Sequence, residues 1–484
     1  LIIVLTFMLN AGLNFLLGLA VAAVLGPEQY GRFAVAAMVA IVIGTAAFDW
    51  LRLSATRFYT EAARAADPEL RASLEVAYAG LGFALLVAAA LVIALQVDIG
   101  LSAAMLAATV AAAICNTRFD YTAALARARF LDRTYSVLVV TKNVASFGLM
   151  IGAAFWFKNA AAVMAALALS GALAILPARS ILLDHGVGLR GATRSRVVAF
   201  AHYGFPIVTA NVIYQVIVLV NRGAAAAHLG FADAGQLSLA TDMSIRLLLA
   251  VGAALDVYLF QLVVRRDATD GRAAAHEQIV RNMLIVTAVL VLLAVGYVMA
   301  MPAFEVLVVP PRFRADFGPV SLVLTPGILA FCLVNFALNP VFQIEGQTRL
   351  VVVAAAAALA VDLGGLALLS PHSGVLSYAI VHAVSLLVGF VLAAIFALRH
   401  PSCRPPLRDL AAIGLAAALA AVVIWPTRSI GEPVVALAAA MIGGTSIYLL
   451  TLYLADVAGF RDLSHLMIRW VFRARSKPQV GPTA

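Results

Sequence analysis

The chain is a succession of apolar runs, each long enough to cross a bilayer. A helix needs about 20 mainly apolar residues to traverse the hydrocarbon core, and by that measure about 14 spans are predicted. They lie near 1–25, 33–52, 74–95, 100–126, 134–157, 160–180, 203–224, 235–260, 282–301, 319–344, 349–370, 375–398, 409–426 and 434–456. The runs are rich in Ala, Leu and Val without two-residue alternation, so helices are predicted and a membrane barrel is excluded. With 64% hydrophobic and 12% charged residues, the chain could not clothe a core in water. The first run has no basic leading segment and passes through the short turn Gly26-Pro27-Glu28-Gln29-Tyr30-Gly31 into the next run. It reads as a retained helix and not as a signal peptide. The chain starts at Leu1 and not at Met, which leaves room for a short preceding segment.

Lys and Arg set the orientation, because they collect in cytoplasmic loops. Most of the 33 basic residues fall in the connections after even-numbered spans and in the tail. Arg52, Arg57, Arg64 and Arg71 follow span 2, and Arg118, Arg127, Arg129 and Arg133 surround the end of span 4. The opposite side keeps only Arg32, Lys158, Arg222, Arg312, Arg314 and Arg428. An even number of spans with both termini cytoplasmic is therefore predicted. The net charge of +9 is then a consequence of topology and requires no nucleic acid. The tail alternates basic and apolar residues, including Trp470 and Phe472, as a segment lying on an anionic leaflet would. Cys115, Cys332 and Cys403 offer neither a disulfide framework nor metal spacing.

The chain carries a trace of internal repetition. Leu25-Gly26 through Gly31 and Leu229-Gly230 through Gly235 share a Leu-Gly-x4-Gly frame. Each copy sits in the outer turn between the first two spans of a sixfold set. Two pseudo-symmetric lobes are predicted, 1–180 and 203–398, joined by a cytoplasmic linker at 181–202 that carries Asp184, His185 and Arg190. Six spans per half puts the symmetry axis along the membrane normal. Two added spans occupy 399–458, and 459–484 is a basic cytoplasmic tail. Paired lobes around a linker are the architecture of a secondary transporter.

The turn Leu25-Gly26-Pro27-Glu28-Gln29-Tyr30-Gly31-Arg32-Phe33-Ala34, the following span ending Phe48-Asp49-Trp50-Leu51-Arg52, and Arg57-Phe58 resemble the bacterial polysaccharide (lipid-linked oligosaccharide) flippases. That family belongs to the multidrug/oligosaccharidyl-lipid/polysaccharide exporter superfamily. Phe205-Pro206 at span 7 and Gly346 after span 10 extend the likeness over roughly residues 1–400. Trp50 departs from it, since a small residue usually follows the Asp. The resemblance implies 12 or 14 spans and two six-helix lobes around a central cavity. It also implies export of undecaprenyl-pyrophosphate-linked sugar units across the bacterial inner membrane, for cell-surface or exo-polysaccharide synthesis. Polysaccharide polymerase and export proteins would be its partners.

Charged and amide side chains inside spans are costly and tend to face a cavity or a partner. Asp49 and Arg52 are i, i+3 neighbours, and Asp242 and Arg246 are i, i+4 neighbours. Each pair fits either mutual neutralisation or a gating role. Lys142, in span 5, fits either a snorkelling side chain or a cavity cation. Asn211, Gln215 and Arg222 fall on one arc of span 7, and Asn335, Asn339 and Gln343 on one face of span 10, which Pro326 and Pro340 interrupt. Such amide faces serve either as interhelical glue or as contacts to sugar hydroxyls. Asn10 and Asn14 repeat the pattern in span 1. Lys142, Arg246, Asn335, Asn339, Gln343, Asn211, Gln215 and Arg222 are the candidate substrate contacts. Asp49, Arg52 and Asp242 are the candidate gating charges.

No catalytic set, metal spacing, cofactor motif or phosphate loop is present, and the 8 histidines are scattered. An enzyme and a nucleotide-driven pump are disfavoured, leaving an ion gradient (Na+ or H+), the membrane potential or downstream consumption as the energy source. A multidrug/cation antiporter of the same fold is the alternative, although it would need buried acids where this chain places Lys142 and Arg246. A membrane-embedded glycosyltransferase or polymerase subunit would need a large outer domain, and every outer loop is short.

Overall fold

The computed structural model describes residues 2–59, 67–182, 191–369 and 373–461, with side chains from Gly12 onward apart from that of Pro68. Arg64, Asp184, His185, Arg190, the side chain of Asn10, and the tail with Trp470 and Phe472 lie outside the described residues. The fold is all-helical, and no strand occurs among the described residues. Among the described residues, twelve helices are long and apolar enough to cross a membrane. The first, Ile2–Phe58, turns at Gly26 (φ 75°, ψ 172°) and so covers both of the first two predicted spans. The predicted fourth span is a continuous helix, Ala103–Ala128, that carries Arg118, Asp120 and Arg127 in its second half. With these two additions every predicted span has a helix, and the chain is a multi-pass membrane protein.

Local chemistry sets several helix ends. Asp67 accepts hydrogen bonds from the Glu69 and Leu70 amides (3.1 and 3.3 Å), with Pro68 at the first helical position of Pro68–Ala94. Ser102 and Asn159 cap Ala103–Ala128 and Ala160–Ile175 in the same way. Other boundaries depart from the sequence expectation. Arg194–His228 has 35 residues and Phe231–Asp270 has 40. At about 1.5 Å per residue both exceed a hydrocarbon core of about 30 Å. The residues from Arg194 to His202, predicted as linker, are the first turns of that helix. Span 10 is interrupted as its prolines imply, but through a π-helical turn, Val334–Leu338, between Arg314–Leu333 and Asn339–Ile344.

The chain divides into two compact units. The first comprises Leu1–Ala250, Val308–Phe331 and Glu345–Ala393. Its helices pack through small side chains, as membrane helices do where backbones approach closely. Ala36, Ala40, Ala112, Ala113, Ala160 and Ala168 form one such core with Met105 and Met164. A second core joins Phe48, Trp50, Leu51, Tyr59, Leu74, Tyr78 and Tyr121 to Phe200 and Val208. Large side chains such as Phe83, Leu91 and Trp156 are exposed, as lipid-facing residues would be. The second unit comprises Val251–Leu307, Cys332–Ile344 and Ala394–Ala484. There Arg272–Met299, Leu407–Ile424 and Pro433–Ala455 share a core built on Leu284, Ala288, Ile413, Ala416 and Tyr448. The Tyr448 hydroxyl donates to the Ala288 carbonyl at 2.7 Å.

Within the first unit the two copies of the Leu-Gly-x4-Gly frame meet. Their first glycines, Gly26 and Gly230, both adopt positive φ (75° and 95°), which glycine alone adopts freely. Their last glycines face the other copy: a Cβ on Gly31 would overlap the Phe231 carbonyl oxygen, and one on Gly235 would overlap that of Pro27. Arg32 lies 4.4 Å from the centre of the Phe231 ring at the same seam.

Candidate functional site

The first unit holds an open cavity of about 690 Å3. Spans 1, 2, 4, 5 and 6 supply most of its wall, and spans 7 and 8 add Arg222, Asp242 and Arg246. Its charged lining is Arg52, Arg127, Lys142, Arg222 and Arg246 against Asp49, Asp120 and Asp242. Positive charge is in excess. Asn14, Asn116, Thr117, Asn143 and Ser146 add neutral hydrogen-bonding groups.

Each charge has a distinct setting. Asp49 accepts from Arg52 through both carboxylate oxygens (2.9 and 3.2 Å), so the i, i+3 pair forms. Of the two readings open for Asp242 and Arg246, direct i, i+4 pairing does not occur, although Arg246 remains among the charges acting on Asp242. Asp242 instead pairs with the buried Arg222 of span 7 and accepts the Tyr30 hydroxyl at 3.1 Å. Arg222 is therefore no solvated outer residue. Arg246 points into span 1, donates to the Asn14 carbonyl and lies against Gly18, where a Cβ would crowd the guanidinium. Lys142 rests 4.3 Å from the centre of the Phe119 ring. Neither Lys142 nor Arg246 forms an ion pair among the described residues. Asn143, beside Lys142, accepts from the Asn14 amide at 3.4 Å, and Ser146 bonds Ser170 at 2.9 Å.

The cavity thus gathers Lys142, Arg246, Arg222, Asp49, Arg52 and Asp242 from the sequence candidates. The others lie outside its lining. Asn211 is exposed and Gln215 half-buried, although both share an arc with Arg222. That face of span 7 is open at Asn211 and covered at Arg222, a difference of depth that periodicity does not record. Asn335, Asn339 and Gln343 belong to the second unit, with Asn335 in the π-helical turn and Gln343 exposed. Asp120 and Arg127 line the cavity but were not among the candidates. Arg118-Phe119-Asp120 inside an otherwise apolar run was the available signal. Trp50 is accommodated away from the cavity lining. Its indole donates to the Ala47 carbonyl at 2.8 Å, its ring stacks on Phe205 at 5.3 Å, and Gly204 leaves the room it fills.

Comparison with known proteins bears on the fold. No protein-family model matches the chain, and no curated protein matches it by sequence. Among solved structures it is similar to the lipid II flippase MurJ in an inward closed conformation, with a TM-score of 0.71 and 13% identity over 95% of this chain and 98% of that one. It is also similar to an outward-facing multidrug resistance MATE family transporter of the MOP superfamily (TM-score 0.53, 15% identity, 82% of this chain and 94% of that one). A third is a MOP superfamily transporter from Pyrococcus furiosus, described by the reverse polarity of its binding pocket (TM-score 0.53, 14% identity, 82% and 94%). At these identities the likeness is one of fold, and the chain has the fold of these membrane transporters.

Proposed function

We propose that the chain is a flippase that carries an undecaprenyl-pyrophosphate-linked oligosaccharide across the bacterial inner membrane by alternating access. The observation that carries this reading is the excess of cations in the cavity, with Lys142 and Arg246 outside any ion pair among the described residues. A pyrophosphate head group cannot enter hydrocarbon unless its lost solvation is replaced. Arg replaces it bidentately and Lys as a point charge. Asn14, Asn116 and Asn143 offer donors and acceptors to sugar hydroxyls. The polyprenyl tail can remain in lipid while the head group crosses. A known lipid II flippase has this fold, which accords with a lipid-linked substrate. Exporters of cationic drugs would need the opposite charge balance.

In this reading 1–180 and 203–398 are the two lobes that rock, both termini are cytoplasmic, and an ion gradient of Na+ or H+ supplies the energy. Reporters fused after Arg71, Gly191 and Arg404 should read cytoplasmic, and those after Gly26, Lys158 and Gly431 periplasmic. Two or more inverted reporters would refute that orientation. The test of function is deletion: a lipid-linked sugar intermediate should accumulate on the cytoplasmic face. Unchanged levels of every lipid-linked sugar would overturn the proposal.

A further inference from the structure

One wall of the cavity is a polar stripe on the helix Ala103–Ala128. Asn116, Asp120 and Arg127 follow at i, i+4 and i+11, with Ala123 between the last two, and all four line the cavity. At 100° per residue they share one narrow arc. The stripe is about 16 Å long at 1.5 Å per residue. Of the three acids in the lining, Asp49 is held by Arg52 through both oxygens, and Asp242 by Arg222 and the Tyr30 hydroxyl. Asp120 is half-buried and forms neither a hydrogen bond nor an ion pair among the described residues; Lys142, Arg52 and Arg127 act on it at longer range. Asn116 donates to the Ala112 carbonyl at 2.9 Å, which leaves its own oxygen as an acceptor. Arg127 lies 5.4 Å from the centre of the Tyr135 ring, which also lines the cavity.

The contacts place these groups in order along the cavity. Arg246 donates to the Asn14 carbonyl, and the Asn14 amide donates to Asn143 at 3.4 Å. Lys142 precedes Asn143 in the chain and is the foremost cation acting on Asp120. The charges acting on Asp120 are Lys142, Arg52, Asp49 and Arg127, whereas those acting on Asp242 are Arg222 and Arg246. The two sets do not overlap. The cavity therefore has a cationic end at Arg246 and an end of mixed sign at Asp120, with Lys142 between them. A carboxyl group is a poor neighbour for a pyrophosphate, because like charges brought together cost affinity. It is a good neighbour for hydroxyls, because its oxygens accept hydrogen bonds whether or not it carries a proton.

We propose that Asp120 anchors a sugar subsite on the Asn116–Arg127 face, which fixes the head group in one orientation, with the pyrophosphate between Arg246 and Lys142 and the first sugar at Asp120. This subsite rests on the flippase reading above and deepens it, because it assigns each part of the head group to its own wall. A sugar presents several hydroxyls along one edge. Asp120 and Asn116 supply acceptors to that edge and Arg127 supplies donors, all from a single helix face, while Ala123 adds no bulk between them. The sugar next to the pyrophosphate is then one with free hydroxyls on the edge it turns to Asp120. The cations that replace the solvation of the phosphates stand on the other side of Lys142. Asp120 thus contributes to the choice of sugar, and Arg246 to the holding of any polyprenyl pyrophosphate.

The experiment uses the full chain in lipid nanodiscs and two probes, a polyprenyl pyrophosphate bearing one neutral hexose and the same polyprenyl pyrophosphate without sugar. The parent should bind the hexose-bearing probe more tightly; equal affinity for the two would overturn the subsite without recourse to any variant. Asp120→Ala should weaken the hexose-bearing probe by roughly tenfold or more. It should change the sugarless probe by less than about twofold. Asp120→Asn preserves the shape and one acceptor, so it should fold as the parent does and show a smaller loss with the same selectivity. Arg246→Ala should weaken both probes alike. If the Asp120 variants weaken both probes equally, or neither, Asp120 reads no sugar and the proposal fails. The same chain in liposomes, with the hexose-bearing probe and an external pyrophosphate-cleaving enzyme that cannot cross the membrane, tests transport separately. Selective binding without transfer across the bilayer would sink the flippase reading and leave the subsite standing. Binding of neither probe by the parent would overturn both.

Discussion

Asn221 and Arg222 are neighbours on one helix and serve two different polar interiors. Arg222 lines a cavity of about 690 Å3 in which ion pairs, amides and room for water solvate the charges. Asn221 stands with Ser385 beside the carboxylate of Asp362, which is fully buried against His382. A fixed charge persists in the first because opposite charge and hydrogen-bonding groups are at hand. In the second a few neutral groups on three packed helices are all that surrounds the acid. One interior therefore suits the holding of an anionic head group and the other is a packed polar interface, and a single helix touches both.

The comparison is tested most severely at Arg222. Removing it by Arg222→Ala leaves the half-buried Asp242 with the Tyr30 hydroxyl as its remaining hydrogen bond and Arg246 as its nearest cation. Stranding one partner of a fully buried pair costs about 3–5 kcal/mol, and access to the cavity and the nearby Arg246 bring the cost here below that. Thermal unfolding in detergent should show this as a large loss, and the double variant Arg222→Ala with Asp242→Asn should recover part of it. Equal stability of the single variant and the parent would show that the cavity wall is already well hydrated.

Next in size are the two cavity cations that form no direct ion pair, Lys142 and Arg246. Lys142→Ala and Arg246→Ala should each reduce transport of lipid-linked substrate by roughly tenfold or more at matched membrane abundance, because a desolvated charged contact is worth about 2 kcal/mol or above. Their stability should change less than that of Arg222→Ala, since neither side chain is hydrogen-bonded to the acid nearest it, Asp120 for Lys142 and Asp242 for Arg246. If both variants transport at the parental rate, Lys142 is a snorkelling residue and Arg246 a helix-packing one.

The outer seam is the third point. Gly235→Leu would drive a side chain into the Pro27 backbone. Overpacking of this kind costs about 1–3 kcal/mol. The substitution should therefore shift the population toward conformations in which the two turns are apart. Crosslinking between cysteines placed at Glu28 and Ala232 would report the shift as a reduced yield, and an unchanged yield would show that the turns separate independently of this contact.

The spans and the turns were legible because hydropathy and glycine spacing are properties of consecutive residues. The Asp49–Arg52 pair was legible for the same reason, being one turn apart on one helix. The partner of Asp242 was not. Its i+4 neighbour Arg246 is nearer in sequence, but Arg222 reaches it across the turn between spans 7 and 8. Asp362 and His382 were also hidden. Each is a single ionisable residue in an Ala- and Val-rich run, and only the packing of two helices makes them a pair. Helical periodicity identifies which residues share a face; it carries no information on what covers that face.

The amide face of span 10 supplies the smallest expected effect and the sharpest control. Asn335, Asn339 and Gln343 form the most regular polar stripe in the sequence, and on pattern alone they rival the cavity cations as substrate contacts. Yet none of them lines the cavity, Gln343 is exposed, and Asn335 sits in a π-helical turn. A π-helical turn rotates the residues after it relative to a regular helix, so a stripe regular in sequence is not regular in space. If recognition is confined to the cavity, Asn339→Ala and Gln343→Ala should alter transport by less than about twofold, within the roughly 0.5 kcal/mol typical of substitutions away from a structural or binding feature. Both should be measured beside Lys142→Ala in the same membranes. A loss as large as that of Lys142→Ala would place part of the sugar site on span 10. The cavity cations would then account for the pyrophosphate alone, and the division between a charge-holding cavity and a packed polar interface would have to admit a third, amide-lined surface.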